Sequence, residues 1–148
     1  PDALKGFGSN TPVEVRFPNA IRPWQHVLEP LSGYLKLAEE LYTTGQKHAT
    51  SYNFGPVDED AKPVRWILDT MASTWGEGAT WVQSDTEQPH EAHYLKLDIS
   101  KAKAYLNWVP QWDLNTALDA TVQWHKNWLA NNDMQKVCIS QIEDYIKR

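Results

Sequence analysis

One segment of the sequence, residues 18–31, contains the side chains best suited to bind a charged ligand. Arg22, Trp24 and His26 stand at alternate positions within it. A guanidinium group binds phosphate oxygens in bidentate fashion, and an aromatic ring offers a stacking surface. This combination predicts a site for an anionic diphosphate ligand that carries a base and a sugar.

A short strand and a long helix are predicted to flank this segment. Residues 13–17 alternate apolar and polar side chains, which favours a strand. From residue 27 to residue 42, apolar side chains recur at three- and four-residue spacing, typical of a helix with one buried face. Pro30 is tolerated in the first turn, and Gly45 provides a natural stop. The candidate ligand segment is therefore predicted to be a loop between the strand and the helix.

The remaining pattern predicts a mainly helical α/β domain with short strands. Gly6-Phe7-Gly8 has no hydrophobic strand before it, so we interpret it as a flexible lead-in. No internal repeat or linker divides the sequence, and residues 1–148 are predicted to form a single domain. Further strands are predicted at residues 51–54, 79–83 and 94–97. Further helices are predicted from Pro63 to about Gly76, from Asp98 or Ser100 to Leu106, and over residues 114–129 and 134–146.

Composition restricts the classes of partner. The formal net charge of -5 argues against nucleic acid and against an anionic membrane, because both attract clustered lysine and arginine. An anionic ligand must then be bound locally, by a few placed cations. The single Cys138 permits no internal disulfide, and no signal-peptide or transmembrane pattern is visible. These features predict a cytoplasmic location.

Five passages of the chain resemble one enzyme family. Arg22-Pro23-Trp24-Gln25-His26-Val27 resembles the substrate segment of the CDP-glucose 4,6-dehydratase family, in the extended branch of the short-chain dehydrogenase/reductase superfamily. The first passage is the most specific to that family, and the others are shared across sugar-nucleotide epimerases and dehydratases. These others are Tyr52-Asn53-Phe54-Gly55-Pro56, the helix over residues 64–75, residues 90–102 with residues 106–110, and the helix over residues 114–128.

The resemblance implies roles for individual residues. Arg22 is expected to hold the pyrophosphate. The other expected contacts to the nucleotide sugar are Arg16, Trp24, His26, Asn53, Glu91 and His93. For Trp24 core packing is an equal alternative, and for His26 a structural role at the helix entrance is at least as well supported.

The resemblance also implies a reaction that this chain cannot perform alone. The family converts CDP-glucose to CDP-4-keto-6-deoxyglucose with NAD, in the synthesis of deoxysugars for lipopolysaccharide, and is homo-oligomeric, as a dimer or tetramer. The chain has no Gly-x-Gly-x-x-Gly turn for dinucleotide phosphates and no Tyr-x-x-x-Lys pair for acid–base catalysis. We therefore expect a C-terminal, substrate-binding portion that lacks most of the NAD-binding domain and carries no catalytic residue.

Other interpretations of the same residues stay open. A related enzyme acting on a UDP or dTDP sugar shares most of the motifs. Eight tryptophans suit a carbohydrate-binding module, although rings at helical spacing favour an internal aromatic cluster. A subunit-interaction domain, paired through the last helix, is a third possibility. His90, Glu91 and His93 lack the spacing of a helical zinc site, and Asp58-Glu59-Asp60 lacks the other ligands of a calcium loop, so no metal is expected.

Overall fold

A computed structural model describes residues 1–85 and 94–147 of the chain. Helices account for most of the regular structure, with two short 3-10 turns at Gly45–His48 and Asp58–Asp60. The α-helices are α1 (Asp2–Gly8), α2 (Leu28–Thr44), α3 (Val64–Trp75), α4 (Ser100–Leu106), α5 (Leu114–Leu129) and α6 (Met134–Ile146). The predicted class, a mainly helical domain with short strands, is confirmed.

In the described part of the chain, four strands of three residues form two separate ribbons. β1 (Val13–Val15) pairs in parallel with β4 (Trp81–Gln83), with Val13 opposite Trp81. β2 (Ile21–Pro23) pairs antiparallel with β3 (Ala61–Pro63). The ribbons are too short to build a core of their own, so helices must cover them.

The larger core lies where α1, α3 and α5 meet the β1–β4 ribbon. The apolar stripe of α3 faces that of α5, as the three- and four-residue spacing requires. Its buried side chains are Leu4, Phe7, Val13, Ile67, Met71, Leu114, Leu118 and Val122.

A second, smaller core lies beneath α2 and is built around the rings of Phe54 and Trp108. Phe54 is its centre, and its ring meets that of Trp108 edge-to-face at 5.0 Å between centroids. Ala102 and Leu106 of α4 complete the cluster. Gly33 brings α2 against the Phe54 ring, because a side chain at that position would overlap the ring. This packing fixes α2, and with it the segment that precedes α2.

The helical predictions agree closely with the structure. α5 and α6 have the predicted bounds, and α2 ends one residue before Gly45. The helix opened by Pro63 runs to Trp75, with Gly76 following it at a positive φ of 98°. The Asp98 carboxylate accepts the Ser100 N–H at 2.7 Å, but the N-cap position of α4 is Ile99, so neither Asp98 nor Ser100 is the predicted cap residue.

Four local predictions are wrong or incomplete. Gly6 and Gly8 were expected in a flexible lead-in, but they belong to helix α1. The Leu4 and Phe7 side chains of α1 are buried, and this apolar burial outweighs the low helix propensity of glycine. Residues 51–54 form no strand, since no partner strand lies beside them among the described residues. The strand predicted at residues 94–97 is reduced to one bridge, between Tyr94 and Ile21. The predicted loop around Arg22 contains β2, because β3 supplies its pairing partner.

Within the described residues, no helix has both the length and the apolar content that a membrane crossing requires.

Candidate nucleotide-sugar site

The β2–β3 ribbon places two cations together. Arg22 lies directly opposite Lys62 in the antiparallel register, so both side chains leave the same face of the ribbon. One guanidinium nitrogen, Nη1, donates to the Ile21 carbonyl at 2.9 Å. The Lys62 Nζ lies 5.7 Å from the centroid of the Trp66 ring. Two cations on one face of the ribbon are suited to an anionic group, and Lys62 is a residue that the sequence patterns did not reveal.

Trp24 is fixed at the end of the same ribbon. Its indole N–H donates to the Lys62 carbonyl at 3.0 Å, and its half-buried ring packs against the larger core. The indole nitrogen is thus occupied within the protein. What the ring retains for a ligand is stacking surface, not a hydrogen bond.

His26 lies at the entrance of α2 and is 8% exposed. Its Nδ1 accepts the N–H of Leu28 at 3.3 Å, and its ring lies 4.9 Å from the Trp112 ring. Burial lowers the pKa of His26, so the imidazole is neutral near pH 7. The geometry shows His26 fixing the start of the helix.

Two amide side chains hold the stretch of chain around Phe54. Gln25 donates from Nε2 to the Phe54 carbonyl at 2.9 Å. Asn53 donates from Nδ2 to the Asp98 carbonyl at 3.2 Å, and its side chain is exposed. The stretch around Phe54 is therefore attached on one side to Gln25 and on the other to the loop before α4.

The other residues expected to contact the nucleotide sugar are Arg16, Glu91 and His93. Arg16 is exposed and follows β1 directly. Glu91 and His93 lie outside the described residues. Tyr94, the first residue after that gap, bridges to Ile21, and the Leu95 N–H donates to the Ile21 carbonyl at 3.1 Å. Of the predicted residues, the structure brings Arg22, Trp24 and His26 into one short stretch.

Most of the tryptophan side chains are packed inside the protein and not exposed on its surface. Trp108 and Trp112 are buried, and the indole N–H of Trp124 points to the Cys138 sulfur at 3.3 Å. Trp128 is the most exposed of the eight at 51%, and its ring still lies 5.2 Å from that of His125. This arrangement favours an internal aromatic cluster over a row of sugar-stacking rings.

Within residues 1–85 and 94–147, no group of three or more histidine, cysteine, aspartate or glutamate side chains is placed to hold a metal ion.

Comparison with known proteins identifies a relative of this sequence. No family model matches the chain. Over 146 residues it is 51% identical to CDP-glucose 4,6-dehydratase from Salmonella typhimurium, an alignment that covers 99% of this chain and 41% of that enzyme. The chain is similar to CDP-glucose 4,6-dehydratase. This finding confirms the resemblance stated from the motifs, and the chain spans about two fifths of the length of the Salmonella CDP-glucose 4,6-dehydratase.

Proposed function

We propose that this chain is the C-terminal, nucleotide-sugar-binding portion of an NAD-dependent CDP-glucose 4,6-dehydratase. The observation that carries the proposal is the 51% identity over 99% of the chain. The longer protein would convert CDP-glucose to CDP-4-keto-6-deoxyglucose. This portion would hold the nucleotide so that the hexose reaches the reacting groups, because binding energy far from the reacting carbons fixes orientation at them.

Arg22 would bind the pyrophosphate, with Lys62 as its neighbour. Both cations leave one face of the β2–β3 ribbon, and a diphosphate carries enough negative charge to pair with both. The planar guanidinium would give the geometric specificity, whereas the ammonium acts as a point charge.

The remaining contacts would come from residues around this ribbon. Trp24 would supply stacking surface only, since its N–H is already bonded to the Lys62 carbonyl. His26 would act through the segment that it holds. The further nucleotide contacts that we propose are Arg16, Asn53, Glu91 and His93.

NAD would not be bound by the residues described here. Its phosphates require a glycine-rich turn between a strand and a helix, with backbone N–H groups facing the ligand. Gly6 and Gly8, the nearest glycine pair, lie inside α1, where no such turn exists. The described residues therefore do not fit this cofactor, and we assign no catalytic residue. The dinucleotide and the acid–base pair would belong to sequence outside this chain.

The outer face of α2 supports the same division of the longer protein. Apolar side chains form an exposed row along it, and a stable longer protein would cover them with its NAD-binding portion. The exposed row consists of Leu31, Tyr34, Leu35 and Tyr42.

We also propose that the longer protein is a cytoplasmic homo-oligomer, as the family resemblance implies.

Titration of the 148-residue chain with CDP-glucose, and separately with UDP-glucose, tests this proposal by amide and indole NMR. We expect saturable shifts around Trp24 with the cytidine compound and weaker ones with the uridine compound. Arg22→Ala and Lys62→Ala should each weaken binding by about tenfold, since a charge-assisted hydrogen bond contributes roughly 1.5–3 kcal/mol. The exposed Arg65 on α3 offers a matched control, and Arg65→Ala should leave the affinity unchanged.

A chimera tests the function independently of whether the isolated chain binds ligand. In it, this chain replaces the matched region of the Salmonella enzyme, and turnover of CDP-glucose with NAD is measured. We expect turnover that Arg22→Ala reduces and Arg65→Ala does not. A folded chimera without turnover, together with a chain that binds neither sugar nucleotide, would contradict the proposal.

A further inference from the structure

The carboxylate of Glu29 is buried at 1% exposure in the first turn of α2, shortly after the proposed ligand segment. Its Oε1 accepts the backbone N–H of Trp112 at 2.8 Å, and the backbone N–H of Gln111 lies at 3.1 and 3.0 Å from the two carboxylate oxygens. The Tyr145 hydroxyl donates to Oε2 at 2.8 Å. These bonds replace the water that a buried carboxylate loses, which would otherwise cost several kcal/mol.

Tyr145 connects this carboxylate to α6, at the far end of the sequence. Its hydroxyl also lies 2.9 Å from the Ser32 Oγ, and that oxygen accepts the indole N–H of Trp108 at 2.9 Å. Burial raises the pKa of Tyr145, and the neighbouring Glu29 adds to the effect, so the hydroxyl keeps its proton and remains a donor. The Ser32 hydroxyl also lies 2.7 Å from the Glu29 backbone carbonyl, to which it donates.

Trp112 links the network to the ligand segment. Its ring lies between two others, 4.9 Å from His26 and 5.3 Å from Tyr145. Its backbone N–H is one of those that Glu29 binds. Two routes thus run from α6 to the entrance of α2. One is a hydrogen-bonded route through Glu29, and the other is a series of ring contacts, edge-to-face from Tyr145 to Trp112 and tilted from Trp112 to His26.

We propose that Glu29 and Tyr145 are positioning residues that hold the segment 22–26 in its ligand-binding conformation. The bracing of the segment is inferred from the hydrogen-bond network. Its effect on ligand affinity rests on the proposed nucleotide-sugar binding. Neither residue would touch the ligand. α6 would contribute to binding by bracing the start of α2, which follows the arginine by only a few residues.

Hydrogen exchange of the ligand-free chain tests the mechanism without depending on the ligand. Tyr145→Phe keeps the ring on Trp112 and removes the hydroxyl from Glu29. We expect about tenfold faster exchange at the Leu28 and Glu29 amides, which donate to His26 Nδ1 and to the His26 carbonyl. The matched control is Gln141→Ala, which removes the bond from α6 to the Ala120 carbonyl at 2.8 Å and leaves Glu29 untouched.

In the control, those two amides should exchange at the wild-type rate. Equal acceleration by Tyr145→Phe and Gln141→Ala would show only that α6 is loosened, and it would overturn the proposal. Unchanged exchange in Tyr145→Phe would do so as well. Glu29→Gln gives a second variant: it presents an amide N–H₂ to donors and should exceed the effect of Tyr145→Phe.

Affinity for CDP-glucose tests the consequence. We expect Tyr145→Phe to weaken binding by about fivefold while its NMR spectrum remains dispersed, and Gln141→Ala to leave binding unchanged. Faster exchange with unchanged affinity would refute the role in binding. A wild-type chain that does not bind CDP-glucose would count against the proposed function, and the exchange result would still decide whether the network positions the segment.

Discussion

Replacing Gly33 with alanine should destabilise the chain, although alanine is the better helix former. Gly33 is buried within α2, and a Cβ built there lies 2.6 Å from both Cγ and Cε1 of Phe54. Phe54 is itself held on two sides, with its ring 5.0 Å from that of Trp108 and 5.5 Å from that of Tyr34. The ring has little freedom to withdraw, so α2 must shift instead.

The expected magnitude follows from two opposing terms. Overpacking in a filled core costs up to about 3 kcal/mol when rings or backbone must move. Exchange of glycine for alanine inside a helix returns about 1 kcal/mol. The net loss should be about 2 kcal/mol, which lowers the melting temperature of a chain of 148 residues by roughly 4–8 °C.

Urea denaturation of Gly33→Ala, Phe54→Leu and the double variant measures this coupling. We expect Gly33→Ala to cost about 2 kcal/mol alone and much less in the Phe54→Leu background, because leucine leaves room beside the helix. A single variant as stable as the wild type, or an equal cost in both backgrounds, would refute the close packing of α2 on the Phe54 ring.

Three further predictions concern single contacts. Burial lowers the pKa of His26, so below about pH 6.5 the unfolded chain takes up a proton at this histidine that the folded chain does not. The free energy of unfolding should therefore fall by up to about 1.4 kcal/mol for each unit by which the pH is lowered. Urea denaturation at pH 7.5 and 5.5 measures this loss of stability. Burial also lowers the pKa of His125, so His26→Asn should remove only part of the loss, and a loss equal to that of the wild type would contradict the role of His26. Asn107 ends α4 at φ 50° and ψ 35°, and Asn107→Ala should cost about 1 kcal/mol in thermal unfolding, with Asn107→Gly costing less. Trp24→Phe leaves the Lys62 carbonyl without its donor and should cost about 1–2 kcal/mol, and a loss below 0.5 kcal/mol, on the order of an ordinary surface change, would argue against that bond.

Helices could be predicted because their signals are local. The three- and four-residue spacing of α5 and α6 and the stop at Gly45 give bounds that agree with the structure to within a residue or two. α1 escaped prediction for the opposite reason: its glycines argue against a helix, and only burial of Leu4 and Phe7 in a core assembled from distant residues favours it.

The sequence identified the candidate site residues within one segment, but it did not identify the residues that pack or pair with them from other parts of the chain. Arg22 was recognisable from its neighbours in sequence. Lys62 was not, because its position opposite Arg22 depends on the register of two strands that are far apart in the chain. Glu29 was missed as well, since a buried carboxylate looks like any other acidic residue until its hydrogen-bond donors, from residues 111, 112 and 145, are placed around it.

The failed strand at residues 51–54 bears on the proposed function. Its sequence has the pattern of a strand, and the structure leaves it without a partner strand among the described residues while burying Phe54 beneath Gly33. A strand is stable only when its backbone groups are paired, so the pattern would have meaning in a longer protein that supplies a neighbouring strand. The exposed apolar row on the adjacent helix α2 calls for the same neighbour. A strand pattern that finds no partner strand in residues 1–85 and 94–147, beside an apolar helix face that is exposed there, supports the proposal that this chain completes its fold against the NAD-binding portion.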